Sequence, residues 1–144
     1  MFAGEFTRPP PVCQENERLP ECPPICFSDI FAEKVDNATA VVSSLTGLTP
    51  EVESAINGDF DVAVVGIFDA SGNKAQLDIL KALEEKGKPV IAVLLRTPYD
   101  YRYVKSCNAI ITGYEYTTLS AKAIVTAMKN CDYRGKMPVT LPEE

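Results

Sequence analysis

Two segments that are apolar almost without interruption constrain the fold of this chain most strongly: Asp61–Phe68 and Pro89–Leu95. The residues between them carry a helical period that places Leu77, Leu80 and Leu83 on one face. Strands that are apolar at nearly every position are buried on both faces, which is typical of parallel sheets covered by helices. The two segments therefore predict buried strands of a parallel sheet with a helix between them.

Strand and helix patterns alternate along the rest of the chain. Short strands are predicted at Thr39–Ser43, Asn108–Thr112 and, at the sheet edge, Pro138–Leu141. Helices with capping residues and apolar stripes are predicted at Ser28–Val35, Thr49–Gly58, Asn73–Lys86 and Thr117–Asn130. This alternation predicts an α/β fold with a doubly wound, mostly parallel sheet flanked by helices, as in a flavodoxin-like three-layer sandwich.

Two of the predicted helices begin with recognisable capping residues. Thr49 is a suitable N-cap because Pro50 follows at the first helical position and Glu51 stands in the first turn. Asn73, with Gln76 three residues later, predicts a capping box. These signals place polar loops directly before the two helices.

Residues 1–27 have a different composition from the rest of the chain. Six of the 11 prolines lie there, and no helical or strand period holds. Proline fixes φ and donates no backbone hydrogen bond, so a poorly ordered arm or linker is predicted for residues 1–27. A single α/β domain is predicted for residues 28–144, because a chain of 144 residues is typical of one domain.

The five cysteines give no complete metal-binding pattern. They are Cys13, Cys22, Cys26, Cys107 and Cys131. Cys22 and Cys26 have the spacing of half a zinc site, but no second pair of cysteine or histidine residues follows. We expect reduced thiols and no metal, with Cys107 and Cys131 packed as small apolar residues.

Charge and composition exclude several classes of function. The net charge of −6 disfavours a nucleic-acid partner, since binding phosphates needs a surplus of lysine and arginine. The absence of histidine excludes a Ser-His-Asp or Cys-His triad. No apolar run approaches the roughly 20 residues of a transmembrane helix, so no membrane partner is expected. No signal segment opens the sequence, which predicts a cytoplasmic location.

Polar residues follow three of the predicted strands, where ligands bind in doubly wound sheets. The candidate residues for a sugar-binding rim are Asp69, Arg96, Tyr99, Asp100, Tyr114 and Glu115. Arginine and aspartate can form hydrogen bonds with sugar hydroxyls, and tyrosine can stack on a ring face. The structural alternative is that Asp69 lies in a turn before a helix, Asp100 caps the next helix, and Tyr99 packs.

The loop after the first predicted strand offers a second kind of site. Ser44, Thr46, Gly47 and Thr49 fit a phosphate loop of the kind with which flavodoxins hold FMN, because hydroxyls and backbone N–H groups converge at a helix N-terminus. Pro50 removes one of those N–H donors. The alternative is a helix entry capped by Thr49, without any cofactor.

Two motifs resemble those of a known family. LRTPYD at Leu95–Asp100 and GKMPVTLP at Gly135–Pro142 are similar to motifs of the C-terminal α/β sandwich domain of glycoside hydrolase family 3, in its β-N-acetylhexosaminidase-like branch. The strand Asn108–Thr112 with Tyr114, and the helix Thr117–Asn130, match the order of elements in that domain. The resemblance extends from about Ser28 to Pro142.

The resemblance implies a domain that works beside a catalytic (β/α)8 barrel. In this family the nucleophilic aspartate lies on the barrel, and in the hexosaminidase branch so does the Asp-His acid/base pair. The β-glucosidase branch draws its acid/base glutamate from the C-terminal domain, but no matching motif surrounds any glutamate here, Glu115 included. A non-catalytic domain without cofactor follows, with a barrel and a carbohydrate as expected partners and a homodimer as a further expectation. A flavodoxin-like FMN-binding domain and a free-standing domain that binds sugar or protein remain as alternatives.

Overall fold

The computed structural model describes residues 2–6, 27–43 and 48–141. The strands are β1 Phe2–Phe6, β2 Thr39–Ser43, β3 Ala63–Ile67, β4 Val90–Leu94 and β5 Ala109–Thr112. The α-helices are α1 Phe27–Lys34, α2 Pro50–Asn57, α3 Lys74–Glu85 and α4 Thr118–Asn130. Two 3₁₀ turns, Ala70–Gly72 and Pro98–Tyr103, follow β3 and β4.

The five strands form one parallel sheet in the order β2-β1-β3-β4-β5. This is the strand order of flavodoxin-like doubly wound folds. In the centre of the sheet Ala63 pairs with Val90 and Ile67 with Leu94, so β3 and β4 run in register over their full length. The α/β class and the parallel sheet predicted from the apolar segments are confirmed.

The central strands bury alternate side chains in two separate cores. On one face Val64 and Val93 pack with residues of α1 and α4. On the other face Val65, Ala92 and Leu94 pack with residues of α2 and α3. Burial on both faces explains why the two strands lack the polar alternation of a half-exposed sheet. Helices on both sides make the predicted three-layer arrangement.

The structure corrects the prediction for the N-terminal arm at both ends. Phe2–Phe6 forms β1, which lies between β2 and β3 in the sheet. The first helix begins at Phe27, one residue before the predicted domain boundary, and Phe27 is fully buried. β1 is a strand because it pairs with β2 and β3, which are remote in sequence. The local composition does not reveal such pairing. The other predicted arm residues, 1 and 7–26, lie outside the described residues.

Three local predictions are also wrong. Pro138–Leu141 forms no strand, and its residues run along the surface instead. Asn73 makes no capping hydrogen bond with its side chain, and the Gln76 side chain bonds to the backbone of Phe68, so no capping box forms. Cys131 is exposed and takes a left-handed conformation at the end of α4, so it does not pack as an apolar residue. Among the described residues, none of the helices has the length and apolar character to cross a membrane.

Candidate functional site

Three loops at the carboxyl edge of the sheet carry the predicted rim residues. They follow β3, β4 and β5, which are neighbours in the sheet. Parallel strands end at the same edge, so these loops converge in space although they are far apart in sequence. The edge is therefore the place where side chains from residues 68–73, 95–100 and 113–116 can act on one ligand.

The loop after β3 is a strained turn that is held in place by Gln76. Gln76 lies in α3 and its side chain is fully buried. Its Oε1 accepts a hydrogen bond from the Phe68 N–H at 3.0 Å, and its Nε2 donates to the carbonyl oxygen of Phe68 at 3.1 Å. Asp69 then adopts a left-handed conformation with φ 53° and ψ 63°. A side chain other than glycine at positive φ costs free energy, and such strain persists only where the surroundings fix it.

Asp100 fixes the next residue of the same turn from the neighbouring loop. Its Oδ1 accepts the N–H of Ala70 at 3.2 Å, although the two residues lie 30 positions apart. Asp100 is only 4% exposed, and its Oδ2 has no hydrogen-bond partner among the described residues. Its burial corrects the expectation that Asp100 contacts sugar directly or caps a helix. The side chain that caps the turn after β4 belongs to Thr97.

Burial also governs the charge of Asp100. Loss of hydration raises the pKa of its carboxyl, the N–H of Ala70 opposes the rise, and the nearby Asp69 carboxylate adds to it. The Asp69 backbone N–H and the Arg102 guanidinium lower this pKa by smaller amounts. Because the pKa of Asp100 is raised in the folded state, Asp100 contributes its full share to the stability of the folded protein at acidic pH, below the unfolded-state pKa. This contribution to stability is lost as the pH rises through the folded-state pKa of Asp100.

Asp69 and Arg96 form an exposed pair at this edge. The Arg96 Nη1 and Asp69 Oδ2 atoms are 3.7 Å apart, and about half of each side chain is exposed. The Arg96 guanidinium lies 5.4 Å from the centre of the Phe68 ring, and that ring lies 5.6 Å from the ring of Tyr116. A hydroxyl, Ser71 Oγ, donates to Asp69 Oδ1 at 2.9 Å. The result is a charged pair supported by aromatic rings and open to solvent.

Tyr99 lies beside this pair in sequence but makes its hydrogen bonds within its own turn. Its N–H donates to Thr97 Oγ1 at 3.3 Å, and its carbonyl oxygen accepts from Arg102 Nε at 3.3 Å. The ring is 52% exposed, which does not fit the packed alternative. Tyr99 stays a predicted rim residue with an exposed side chain.

The loop after β5 directs its tyrosine towards the C-terminal segment. Tyr114 has φ 60°, and its hydroxyl donates to the sulfur of Met137 at 3.3 Å. Glu115 is exposed and has no ion pair or hydrogen bond within the described part of the chain. The polar groups of these two residues are thus not drawn into the Asp69 and Arg96 pair.

Sequence reasoning missed the residues that support the pair. The sequence predicts Gln76 as part of a helix-capping box and Phe68 as the end of a strand, and neither pattern indicates a role beside Arg96. A signal for Gln76 exists, since a polar residue at a fully buried helical position needs hydrogen-bond partners. Its partner, the backbone of Phe68, is set only by the packing of α3 on the sheet.

The predicted phosphate loop is described only at its last residue. Ser44, Thr46 and Gly47 lie outside the described residues. The side chain of Thr49 accepts the N–H of Val52 at 3.4 Å and so caps α2. This contact is the cofactor-independent role that the sequence offered for Thr49.

Replacement of Thr49 by alanine is expected to lower the free energy of unfolding by about 1 kcal/mol, because the N-cap hydrogen bond is lost. Urea denaturation followed by circular dichroism measures the change. Thr126→Ala, at an exposed threonine in the middle of α4, is the control and should stay within about 0.5 kcal/mol of the wild type. Equal stability of both variants would contradict the capping role.

Two cysteines, Cys107 and Cys131, lie in the described part of the chain. Burial, with a smaller contribution from Glu84, raises the pKa of the Cys107 thiol to about 11, so the nucleophilic thiolate is scarce at neutral pH. Cys107 and Cys131 are both free. Within residues 2–6, 27–43 and 48–141, no three side chains of the metal-binding types converge.

A comparison with curated proteins finds one relative by sequence. It is a lysosomal β-glucosidase from Dictyostelium discoideum, 27% identical over an alignment of 124 residues. The alignment covers 75% of this chain and 15% of the relative. No family model matches the chain.

Two solved structures share the fold. One is a fungal multi-domain family 3 β-N-acetylglucosaminidase with a GCN5-related glucosamine N-acetyltransferase region, matched with a TM-score of 0.71 and 15% identity over 98% of this chain and 15% of that one. The other is a family 3 β-N-acetylglucosaminidase from Paenibacillus sp. str. FPU-7, with a TM-score of 0.66 and 16% identity over 90% of this chain and 25% of that one. The predicted resemblance to glycoside hydrolase family 3 is confirmed.

The chain is much shorter than the proteins to which it is similar. The chain spans 15% of the curated relative and 15% and 25% of the two solved chains. It thus corresponds to a small part of each of these longer proteins.

Proposed function

We propose that this chain is a non-catalytic C-terminal domain of a family 3 glycoside hydrolase, which completes the sugar-binding rim of a catalytic (β/α)8 barrel. The parent enzyme would be of the β-N-acetylhexosaminidase-like branch and hydrolyse terminal β-linked sugars. The motifs LRTPYD and GKMPVTLP support the assignment, and so does the similarity of the fold to parts of two family 3 β-N-acetylglucosaminidases. The barrel is the partner that the proposal requires, and the homodimer stays a prediction.

The observation that carries this proposal is the exposed pair of Asp69 and Arg96. A carboxylate and a guanidinium 3.7 Å apart offer acceptors and donors to neighbouring hydroxyls of one sugar ring. The Phe68 ring behind Arg96 holds the guanidinium close to the edge of the sheet. Both loops are anchored to buried residues, so the pair needs little reordering when a sugar binds.

The placement of the acidic residues supports a role without catalysis. Retaining glycoside hydrolysis needs two carboxyl groups about 5 Å apart on either side of the bond. Asp69 is exposed at the edge but paired with Arg96, while Asp100 is buried beneath it. Glu115 belongs to another loop and has no partner in the described part of the chain. A barrel would have to supply the reacting carboxylates.

Loss of either charge is expected to weaken sugar binding about tenfold. A hydrogen bond to a charged group contributes about 1.5–3 kcal/mol, and 1.4 kcal/mol corresponds to a factor of ten. The variants are Arg96→Gln and Asp69→Asn, titrated with N-acetylglucosamine and with glucose by calorimetry at pH 5. Both sugars are used because the two solved relatives are β-N-acetylglucosaminidases and the curated relative is a β-glucosidase.

The controls are Lys81→Gln and Glu85→Gln, which remove the same charges from an exposed ion pair on α3, away from the carboxyl edge. These two variants should bind sugar like the wild type. Equal weakening by all four variants would show a general effect of charge and contradict the site. Hexosaminidase turnover by the isolated chain that is lost in Asp69→Asn would contradict the non-catalytic role.

A further inference from the structure

The backbone of Asp69 lies between two peptide groups, and a buried side chain holds each of them. The Phe68 carbonyl oxygen belongs to the peptide group before Asp69, and it accepts a hydrogen bond from Gln76 Nε2 at 3.1 Å. The Ala70 N–H belongs to the peptide group after Asp69, and it donates to Asp100 Oδ1 at 3.2 Å. The torsions φ and ψ of a residue describe how its two planar peptide groups are rotated about the bonds to Cα. Gln76 and Asp100 therefore restrain φ and ψ of Asp69 between them.

The two restraining side chains come from different elements and are themselves buried. Gln76 stands in the first turn of α3 and has no exposed surface, while Asp100 lies in the turn after β4 and is 4% exposed. Gln76 Oε1 also accepts the Phe68 N–H at 3.0 Å, so one amide side chain bonds both polar groups of the Phe68 backbone. With so little exposed surface, neither restraining side chain can contact a sugar at the edge of the sheet.

The conformation that these side chains hold is one that a residue with a Cβ atom adopts at a cost. Asp69 has φ 53° and ψ 63°, in the left-handed region. Rotation of φ to a negative value would change the direction of the Cα–Cβ bond and carry the carboxylate away from its present place. Asp69 Oδ2 would then no longer lie 3.7 Å from Arg96 Nη1. The pairing of the two charges thus depends on the left-handed backbone.

We propose that Gln76 and Asp100 are positioning residues of the sugar site, which hold Asp69 in the left-handed conformation and so keep its carboxylate beside Arg96. This inference rests on the proposed function, since it concerns residues beneath the same site. A carboxylate accepts a backbone N–H more strongly than a neutral carboxyl does, so ionisation of Asp100 strengthens its restraint. Sugar affinity then depends on two residues that the sugar does not touch.

The first test observes the Asp69 backbone by NMR in the full chain, without any ligand. At positive φ the amide proton and the Hα atom of a residue lie close together, so the nuclear Overhauser effect between them is strong. We expect a strong effect at Asp69 in the wild type and a weaker one in Gln76→Leu and in Asp100→Leu. Asp100→Asn, which keeps an oxygen acceptor, should weaken it less than Asp100→Leu. Val125→Ala destabilises the core on the opposite face of the sheet and, as the control, should leave it unchanged.

The second test measures the affinity for N-acetylglucosamine and for glucose by calorimetry, at a temperature at which the variants are folded. Gln76→Leu and Asp100→Leu should each weaken binding about fivefold, because the released turn must be ordered when the sugar binds. In the Asp69→Asn background the same changes should weaken binding by less than about twofold, since the carboxylate that they position is absent. A merely structural effect would weaken binding equally in both backgrounds. Val125→Ala should bind sugar like the wild type.

A weak effect at Asp69 in the wild type overturns the proposal, and so does a strong one that survives in both leucine variants. If the wild type binds sugar and Asp69→Asn binds it less, but the leucine variants bind like the wild type, the positioning role is overturned and the sugar site is kept. If the wild type binds neither sugar, the sugar site is overturned and this role with it. The variants lie at two positions and Asp100→Asn is the milder change, so the test stands when one of them does not fold.

Discussion

Replacement of Phe27 by alanine is expected to lower the free energy of unfolding by about 3–5 kcal/mol, the usual cost of removing a large aromatic side chain from a core. Phe27 has 0% of its surface exposed and belongs to the core formed with Val64 and Val93 of the central strands. Its ring also lies 6.0 Å from that of Phe31, one helical turn away. The cavity left by alanine would lie between α1 and the sheet.

Urea denaturation followed by circular dichroism measures this loss. Leu119→Ala is the matched control, because Leu119 is 78% exposed on α4 and its truncation should change stability by less than about 0.5 kcal/mol. If the Phe27→Ala variant were as stable as Leu119→Ala, Phe27 would not pack in the core and would belong to the N-terminal arm that the sequence predicts. The experiment thus tests whether Phe27 contributes to the core between α1 and the sheet.

Replacement of Gln76 by leucine is expected to destabilise the protein by about 2–3 kcal/mol. The change removes two hydrogen bonds to the backbone of Phe68 and leaves a partly buried N–H and carbonyl group without partners. Leucine has a similar size, so the loss reports hydrogen bonding more than packing. The turn at Asp69 loses one of its anchors at the same time.

Hydrogen exchange separates this local effect from global unfolding. The Phe68 amide should exchange faster in Gln76→Leu by a larger factor than amides in the middle of β4, because only the former loses its acceptor. Lys81→Leu, on the exposed face of the same helix, should leave both the stability and the Phe68 amide unchanged within error. A uniform increase in exchange across the sheet would contradict an anchor that acts on the turn.

The sequence predicted which loops carry the candidate site, but it did not predict which contact each side chain makes. Asp69 and Arg96 were expected at the carboxyl ends of β3 and β4, and the structure pairs them. Asp100 was expected at the rim, and it lies buried beneath it. The difference arises because a strand period shows where a loop begins, while the direction of each side chain within a loop depends on the neighbouring loop.

The sequence by itself determined the parallel α/β architecture, since uninterrupted apolar strands such as Val90–Leu94 are stable only when helices cover both faces. It also placed the start of α2 at Thr49, where a hydroxyl accepts a nearby backbone N–H whatever lies beyond the helix. Only the tertiary structure decided that Phe2–Phe6 is a strand and that Asp100 binds the Ala70 N–H. Both depend on partners distant in the chain, 30 residues away for Asp100, and no local pattern encodes such a contact.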